Sequence, residues 1–372
     1  MTAPAPGPDA RASSGAGADG ANLFVRLTGS GEPEERLVPG TGERPVAGRG
    51  KVVVRVEAAG VSYAEVQMLQ HLHPFPPAFP FVPGYDLVGR VIEVGPGVTG
   101  RRVGDRVAAM PRHGAWQRYV ETPAKTLATV PEDLDAAVAV ALVTNGVTAW
   151  QMLHRLAGVR PGDTVLVHGA SGGVGTLLTQ LAVHHGLRVI GTASPAKHDA
   201  VRALGAEPLD YRTPGLPGVV RELAPGGVQA VFDHIGGRGL DDSWAMLADG
   251  GALVSYDSSV AGYRPGQWFR PHVSALRRTV RRWAARHLGL TRGRRMSMYY
   301  VKPGADFNAD LAALYELVAD GVLRPEIAGR HRLEDAPVAV RALLHGSTVG
   351  KHVLLPDEPS AFDPDSAKGH RT

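Results

Sequence analysis

Residues 165–182 read VLVHGASGGVGTLLTQLA. Val165, Leu166 and Val167 lead within a few positions to Gly169, Gly172, Gly173 and Gly175, and then to Leu177, Leu178 and Leu181 at helical spacing. The pattern predicts a strand over residues 164–168, a glycine turn, and a helix over 173–185. A helix N-terminus carries unpaired N–H groups and partial positive charge, which suits a phosphate. Gly172 and Gly173 would let a pyrophosphate rest against bare backbone, and Gly175 would let the helix pack closely on the strand. A P-loop would need Gly-Lys-Ser/Thr to close it, but Thr176 follows Gly175 directly, so ATP or GTP is not expected.

Working outward, the alternation continues downstream. Residues 187–192 read as a strand, 195–204 as a helix, and 229–233 and 252–255 as further strands, which predicts an α/β, doubly wound parallel sheet. About 20 residues past such a turn, NAD-binding sheets place an acid for the ribose 2′-hydroxyl. Here the sequence is Gly191-Thr-Ala-Ser-Pro-Ala-Lys-His198, with no acid. Ser194 offers a hydroxyl and Lys197 a cation, which suits a 2′-phosphate and predicts NADPH rather than NADH. Upstream, residues 23–130 are short apolar runs broken by glycine and proline. Strands are expected at 51–56, 87–94 and 106–110, with turns at 83–84, 95–97 and 104–105, as in a compact β-barrel. Residues 134–156 read as helical with a break near Asn145-Gly146. A helix at 310–320 and strands at 330–333 and 351–355 follow, the strands returning to the first domain.

Composition sets the outer limits. At 372 residues, 44% hydrophobic and 20% charged, the chain is long enough for two domains with separate cores. It has no cysteine, which excludes disulfides, thiolate zinc sites, cysteine-ligated iron–sulfur clusters and a cysteine nucleophile. A net charge of +4 gives no reason to expect nucleic acid. No stretch approaches the roughly 18–20 apolar residues of a membrane span, and residues 1–21 lack the pattern of a secretory signal, so a cytoplasmic location is expected. Residues 1–21 and 356–372 read as disordered tails.

Several motifs then fall in order: Gly60-Val-Ser-Tyr-Ala-Glu65, Pro83-Gly-Tyr-Asp-Leu-Val-Gly-Arg90, Val103-Gly-Asp-Arg-Val107, Asn145-Gly-Val-Thr-Ala149, Pro161-Gly-Asp163, the glycine turn, Leu204-Gly-Ala206 and Asp210-Tyr211. In combination they resemble the medium-chain dehydrogenase/reductase superfamily, and within it the zinc-free quinone oxidoreductase (zeta-crystallin-like) branch. The resemblance runs from about residue 23 to 355. It implies a GroES-like catalytic domain at 22–144 completed by 300–355, a Rossmann domain at 145–299 for NADPH, and a homodimer. Gly84-Tyr85-Asp86 stands where the alcohol dehydrogenase branch often has Gly-His-Glu, so the resemblance implies that the metal has been lost. Without that Lewis acid, the implied chemistry is hydride transfer to an already electrophilic quinone or α,β-unsaturated carbonyl. Cofactor contacts carry over to Asn145, Thr148, Ser171, Gly172, Gly173, Val174, Ser194, Lys197, Tyr211, Ile235, Tyr256 and Ser258. On the catalytic side, Ser62 takes the place of an asparagine beside the nicotinamide. His73 falls where relatives have a proton-donating tyrosine, and Tyr63 is expected in the pocket wall.

From Arg270 to Arg295 the chain holds nine arginines and no acid. Leu276, Val280, Trp283, Ala284 and Leu288 fall at helical spacing, which predicts an amphipathic basic helix near the cleft with a solvated arginine face. An acidic carrier protein or the phosphates of a CoA thioester would suit it as partners. This leaves two alternatives to a quinone or enone reductase: an enoyl-thioester reductase of a biosynthetic pathway, and a non-enzymatic NADPH-binding protein with a sensory or partner-binding role.

Overall fold

The computed structural model describes residues 20–73, 76–256 and 269–357. The segment read from the glycine turn onward forms a six-stranded sheet. Its strands are β1 (Thr164–Val167), β2 (Arg188–Ala193), β3 (Glu207–Asp210), β4 (Val228–Asp233), β5 (Leu247–Ser255) and β6 (Arg295–Met298). They lie in the order β3-β2-β1-β4-β5-β6 and every pairing is parallel. A parallel sheet covered on both faces wants apolar residues on both sides of each strand, and Val165, Leu166 and Val167 are all fully buried. The order reverses direction beside β1, so the carboxyl ends of β1 and β4 border a crevice where ligands bind in such sheets.

A seven-stranded sheet of GroES-like type holds the N-terminal strands. Strand Lys51–Gly60 lies at its centre, antiparallel to Leu87–Val94 on one side and to Tyr119–Pro123 over its first half on the other. Its far end, at Ala59 and Gly60, pairs with Lys351–Leu355, which in turn pairs in parallel with Ile327–Arg332. The C-terminal strands therefore do return to the first sheet, as the sequence suggests. Among the elements that went unread are the hairpin of Asn22–Leu27 with Leu37–Gly42, the strands Tyr119–Pro123, Glu207–Asp210 and Arg295–Met298, and the helices Tyr63–Leu69, Leu216–Leu223, Gly239–Met246 and Ala336–His345.

Four helices position the site. Helix α1 spans Tyr63–Leu69, α2 Gly173–His184, α3 Gly239–Met246 and α4 Phe269–His287. Helix α2 buries Leu177, Leu178, Leu181 and Ala182 against the sheet. The helical run Ala136–Ala157 is not broken at Asn145-Gly146. It begins at Asp135, whose carboxylate accepts the Val138 N–H at 2.9 Å, and widens into π turns at Leu142–Gly146 and Met152–Ala157. It ends at Gly158, with φ of 61°. The first wide turn redirects one amide outward, so that Thr144 N donates to Asp86 at 3.2 Å. By length and hydropathy this run could cross a bilayer, which corrects the reading that no stretch approaches that limit; 72% of its apolar window is buried inside the protein.

Two further expectations change. Pro356 and Asp357 are not tail: Asp357 forms ion pairs with Arg55 at 2.8 Å and Arg118 at 2.9 Å. The remaining tail readings, at residues 1–19 and 358–372, lie outside the described residues. In α4 the expected orientation holds only in part: Arg277, Arg281 and Arg286 are exposed, but so is the apolar stripe. Leu276, Val280, Trp283 and Leu288 are each more than half exposed. The inward side is held by Arg282, which bonds Asp241 at 2.6 Å and stacks over Trp244, and by Arg278, which bonds Asp241 at 3.1 Å. Asp241 on α3 thus draws two arginines inward and leaves the apolar stripe outside.

Candidate functional site at the glycine turn

The turn between β1 and α2 uses each glycine differently. Gly175 is required from within, since any Cβ there would run into the Gly169 carbonyl oxygen and Ala170 Cα. At Gly173 a Cβ would come too close to the Asn145 side-chain amide nitrogen, which would have to move. Gly172 is different. It is exposed, and the nearest atom to a Cβ there is the Gly169 carbonyl at 3.4 Å. Gly173, Val174 and Gly175 form the first helical turn, whose N–H groups have no partner within the helix. Ser171 is buried, and its carbonyl accepts the Gly350 N–H at 3.0 Å.

That last bond ties the turn to the other sheet. Lys351, next in sequence, is buried and places Nζ 2.7 Å from Asp86 Oδ2. Asp86 also accepts the N–H of Gly60 at 3.1 Å, and a side chain at Gly60 would collide with both Asp86 and Lys351. A short chain of contacts therefore links Asn145 and the glycine turn through Lys351 and Asp86 to Gly60, two residues before Ser62.

Ser62 caps α1. Glu65 Oε2 accepts from both Ser62 N, at 2.8 Å, and Ser62 Oγ, at 2.5 Å, which closes a capping box. Glu65 is buried and its Oε1 has no partner among the described residues. Burial, and to a smaller degree the Asp86 carboxylate, push its carboxyl up to about 7. Sequence reasoning quoted Glu65 within a motif but assigned it no role; the signal available was the Ser-x-x-Glu spacing. Tyr63 points elsewhere, with its hydroxyl donating to the Leu343 carbonyl at 3.4 Å. His73 is half-buried in the loop after α1, its N–H donating to the Gln67 carbonyl at 3.1 Å.

On the sheet side, Ser194 and Lys197 follow β2. Lys197 Nζ donates to the Thr348 carbonyl at 2.7 Å, and partial burial lowers its pKa. Tyr211 is exposed just past β3, with Arg212 over its ring. Ile235 follows β4, and its N–H donates to Asp233 at 2.7 Å. Tyr256 follows β5 directly and lies 6.1 Å, ring to ring, from His234, which fills the space beside Gly169. Burial drives the Tyr256 hydroxyl well above its ordinary range and His234 down to about 4. Asn145 and Thr148 are buried on the long helical run. Ser258 lies outside the described residues. The structure therefore gathers Asn145, Ser171, Gly172, Gly173 and Val174 at the turn, and sets Ile235 and Tyr256 on neighbouring strand ends. Tyr63 is directed away.

Two family models match. Residues 48–132 match the alcohol dehydrogenase GroES-like domain, and residues 204–354 match a family described as zinc-binding dehydrogenase. The residues present do not fit a zinc ion. Among the described residues no three His, Cys, Asp or Glu side chains converge, and Asp86 is already engaged by Lys351 and two backbone amides. The synaptic vesicle membrane protein VAT-1 homolog of Homo sapiens is 32% identical over 325 residues, which cover 84% of this chain and 80% of that protein. A 2-haloacrylate reductase of Burkholderia sp is 33% identical, covering 83% and 92% respectively. Among solved structures, mycobacterial Rv1454c in complex with NADPH is 32% identical, with a TM-score of 0.77 over 90% of this chain and 100% of that one. The chain belongs to the medium-chain dehydrogenase/reductase superfamily, in its quinone oxidoreductase branch.

Proposed function

We propose that the protein is an NADPH-dependent reductase that delivers hydride to a quinone or an α,β-unsaturated carbonyl compound. The observation that carries this reading is the glycine turn itself: Gly172 is bare and exposed beside the first-turn amides of α2, while Gly175 is required by the protein's own backbone packing. The pyrophosphate rests against residues 171–174 on the first-turn amides of α2, the Gly172 amide being given to the Gly169 carbonyl at 2.9 Å. Lys197, with two donors beyond the one given to Thr348, and Ser194 hold the 2′-phosphate, with Tyr211 beside them. Ile235 and Tyr256 line the ribose and nicotinamide, and Asn145 and Thr148 complete the inner wall. Bound NADPH supplies the hydride. Ser62 bonds the acceptor oxygen, and His73 borders the acceptor. The likeness to a 2-haloacrylate reductase and to an NADPH-bound relative supports the acceptor class and the cofactor.

An acyl thioester is the second reading, and the exposed arginines of α4 favour it. Arg277, Arg281 and Arg286 face solvent, and among the described residues no carboxylate pairs with them. They would suit the phosphates of CoA or an acidic carrier. A homodimer is part of the proposal and is read by size-exclusion chromatography with light scattering. The test of function is NADPH consumption on adding a simple quinone, then an enoyl-CoA. Turnover with the first supports the leading reading, and turnover with the second alone supports the thioester. Saturable NADPH binding with neither turnover supports a non-enzymatic role.

A further inference from the structure

Four acids are buried among the described residues: Glu65, Asp86, Asp233 and Asp310. Three have partners that hold a negative charge in place. Asp86 faces Lys351 at 2.7 Å and two backbone amides. Asp310 takes Arg155 at 2.7 Å and the Gln151 amide at 2.6 Å. Asp233 accepts the N–H groups of Ile235 and Gly236, at 2.7 and 2.8 Å, and the Ser243 hydroxyl. Glu65 has only Ser62 and its own backbone amide, and among the described residues its Oε1 has no hydrogen-bond partner. No cation stands in to help, because Lys351 is spent on Asp86. The titratable groups that face Glu65 are Tyr85, whose hydroxyl it disfavours from ionising, and the Asp86–Lys351 pair. From the helix Ala336–His345, packed against α1, Arg341 is turned away to Glu32 and Glu34.

We propose that Glu65 is carried as a neutral carboxylic acid and serves as the proton reservoir behind Ser62. The inference rests on the functional reading above, in which Ser62 bonds the acceptor oxygen. The 2.5 Å separation between Ser62 Oγ and Glu65 Oε2 serves a hydrogen on either oxygen. With Glu65 ionised, the Ser62 hydroxyl must donate to it and is lost to the substrate. With Glu65 protonated, Glu65 donates to Ser62 Oγ and the serine hydrogen is free to turn into the cleft. Hydride from a reduced nicotinamide then forms a C–H bond on the acceptor, and the displaced electron pair moves onto the acceptor oxygen. That oxygen takes the Ser62 proton as Ser62 takes the Glu65 proton, so the O–H bond of Glu65 breaks and a carboxylate is left. Water reprotonates it before the next turnover. Glu65 acts through Ser62 and is a positioning residue in this scheme.

Glu65→Gln separates this role from a structural one, because glutamine also closes a capping box yet has no acidic proton. With NADPH and a turned-over acceptor, wild-type kcat should fall as pH rises through about 7. In the variant kcat should drop on the order of 100-fold with KM little changed, and that pH limb should vanish. Glu65→Asp should recover part of the rate. Infrared titration of the unliganded protein gives a readout free of turnover: a protonated-carboxyl band present at neutral pH in the wild type and absent in Glu65→Gln. A variant with the wild-type rate and pH profile overturns the proposal, and so does a band unchanged by the substitution. If the wild type turns over neither a quinone nor an enone, the functional reading falls and the proton-delivery role falls with it; the infrared result then reports separately whether Glu65 is neutral.

Discussion

Lys351 Nζ lies 2.7 Å from Asp86 Oδ2, and neither side chain reaches solvent. The pair joins the strand Lys351–Leu355 to the loop before Leu87–Val94, directly behind the glycine turn. Breaking one half of a buried pair leaves an unpaired charge, which costs about 3–5 kcal/mol. Lys351→Ala should lower stability by about that amount in urea unfolding, and Asp86→Asn added to Lys351→Met should recover much of it. A loss under about 1 kcal/mol in the single variant would show that the charge finds water or another partner.

Lys197 should decide between the two nicotinamide coenzymes. Lys197→Ala should weaken NADPH by on the order of 10- to 100-fold, about the range of a charge-assisted bond, and leave NADH nearly unchanged. Fluorescence titration with both coenzymes measures the ratio. An unaltered preference would remove Lys197 from the 2′-phosphate.

The glycines of the turn should separate into two kinds. Gly172→Val brings its Cβ no nearer than 3.4 Å to the Gly169 carbonyl, an ordinary contact, so it should fold with nearly wild-type stability and lose coenzyme binding. Gly175→Val meets backbone atoms, and overpacking of that sort costs about 1–3 kcal/mol or more. Thermal melts beside coenzyme titrations test the contrast.

Glu65 also predicts a pH-dependent stability. Its carboxyl is raised from 4.5 to about 7 in the folded protein, so the folded state binds more protons than the unfolded state between those values. The contribution is fully present below about 4.5 and lost as pH rises through about 7. At about 1.4 kcal/mol per pH unit, the loss is on the order of 3 kcal/mol. Glu65→Gln should therefore gain on the wild type as pH rises from 5 to 8, measured by urea midpoints. Parallel curves would mean that Glu65 is already ionised at pH 5.

Local signals carried the architecture. The spacing from Val165 to Leu181 shows a strand, a turn and a helix because all three are written within a few residues, and β-branched runs such as residues 51–56 mark strands unaided. What the sequence hides is distance. Asp86 and Lys351 lie 265 positions apart, and nothing local to either says that they meet. Ser62 and Glu65 display their capping spacing openly, yet burial of Glu65 depends on packing from other elements. Tyr63 looked like pocket wall, but only tertiary structure shows its hydroxyl spent on Leu343. In α4 the apolar stripe suggested a packed face, and Asp241 on another helix decided which side turned inward.

A ribosome delivers Lys351–Leu355 after every other described strand of either sheet has been made. Until then Ala59 and Gly60 lack the neighbour they bond in the finished sheet. Strands β1 to β6, by contrast, are all available once residue 298 has emerged. The half made second can thus close first, while the half begun first waits with an open margin for the final segment. A nascent chain halted short of residue 351 would carry a completed coenzyme half beside an unfinished companion.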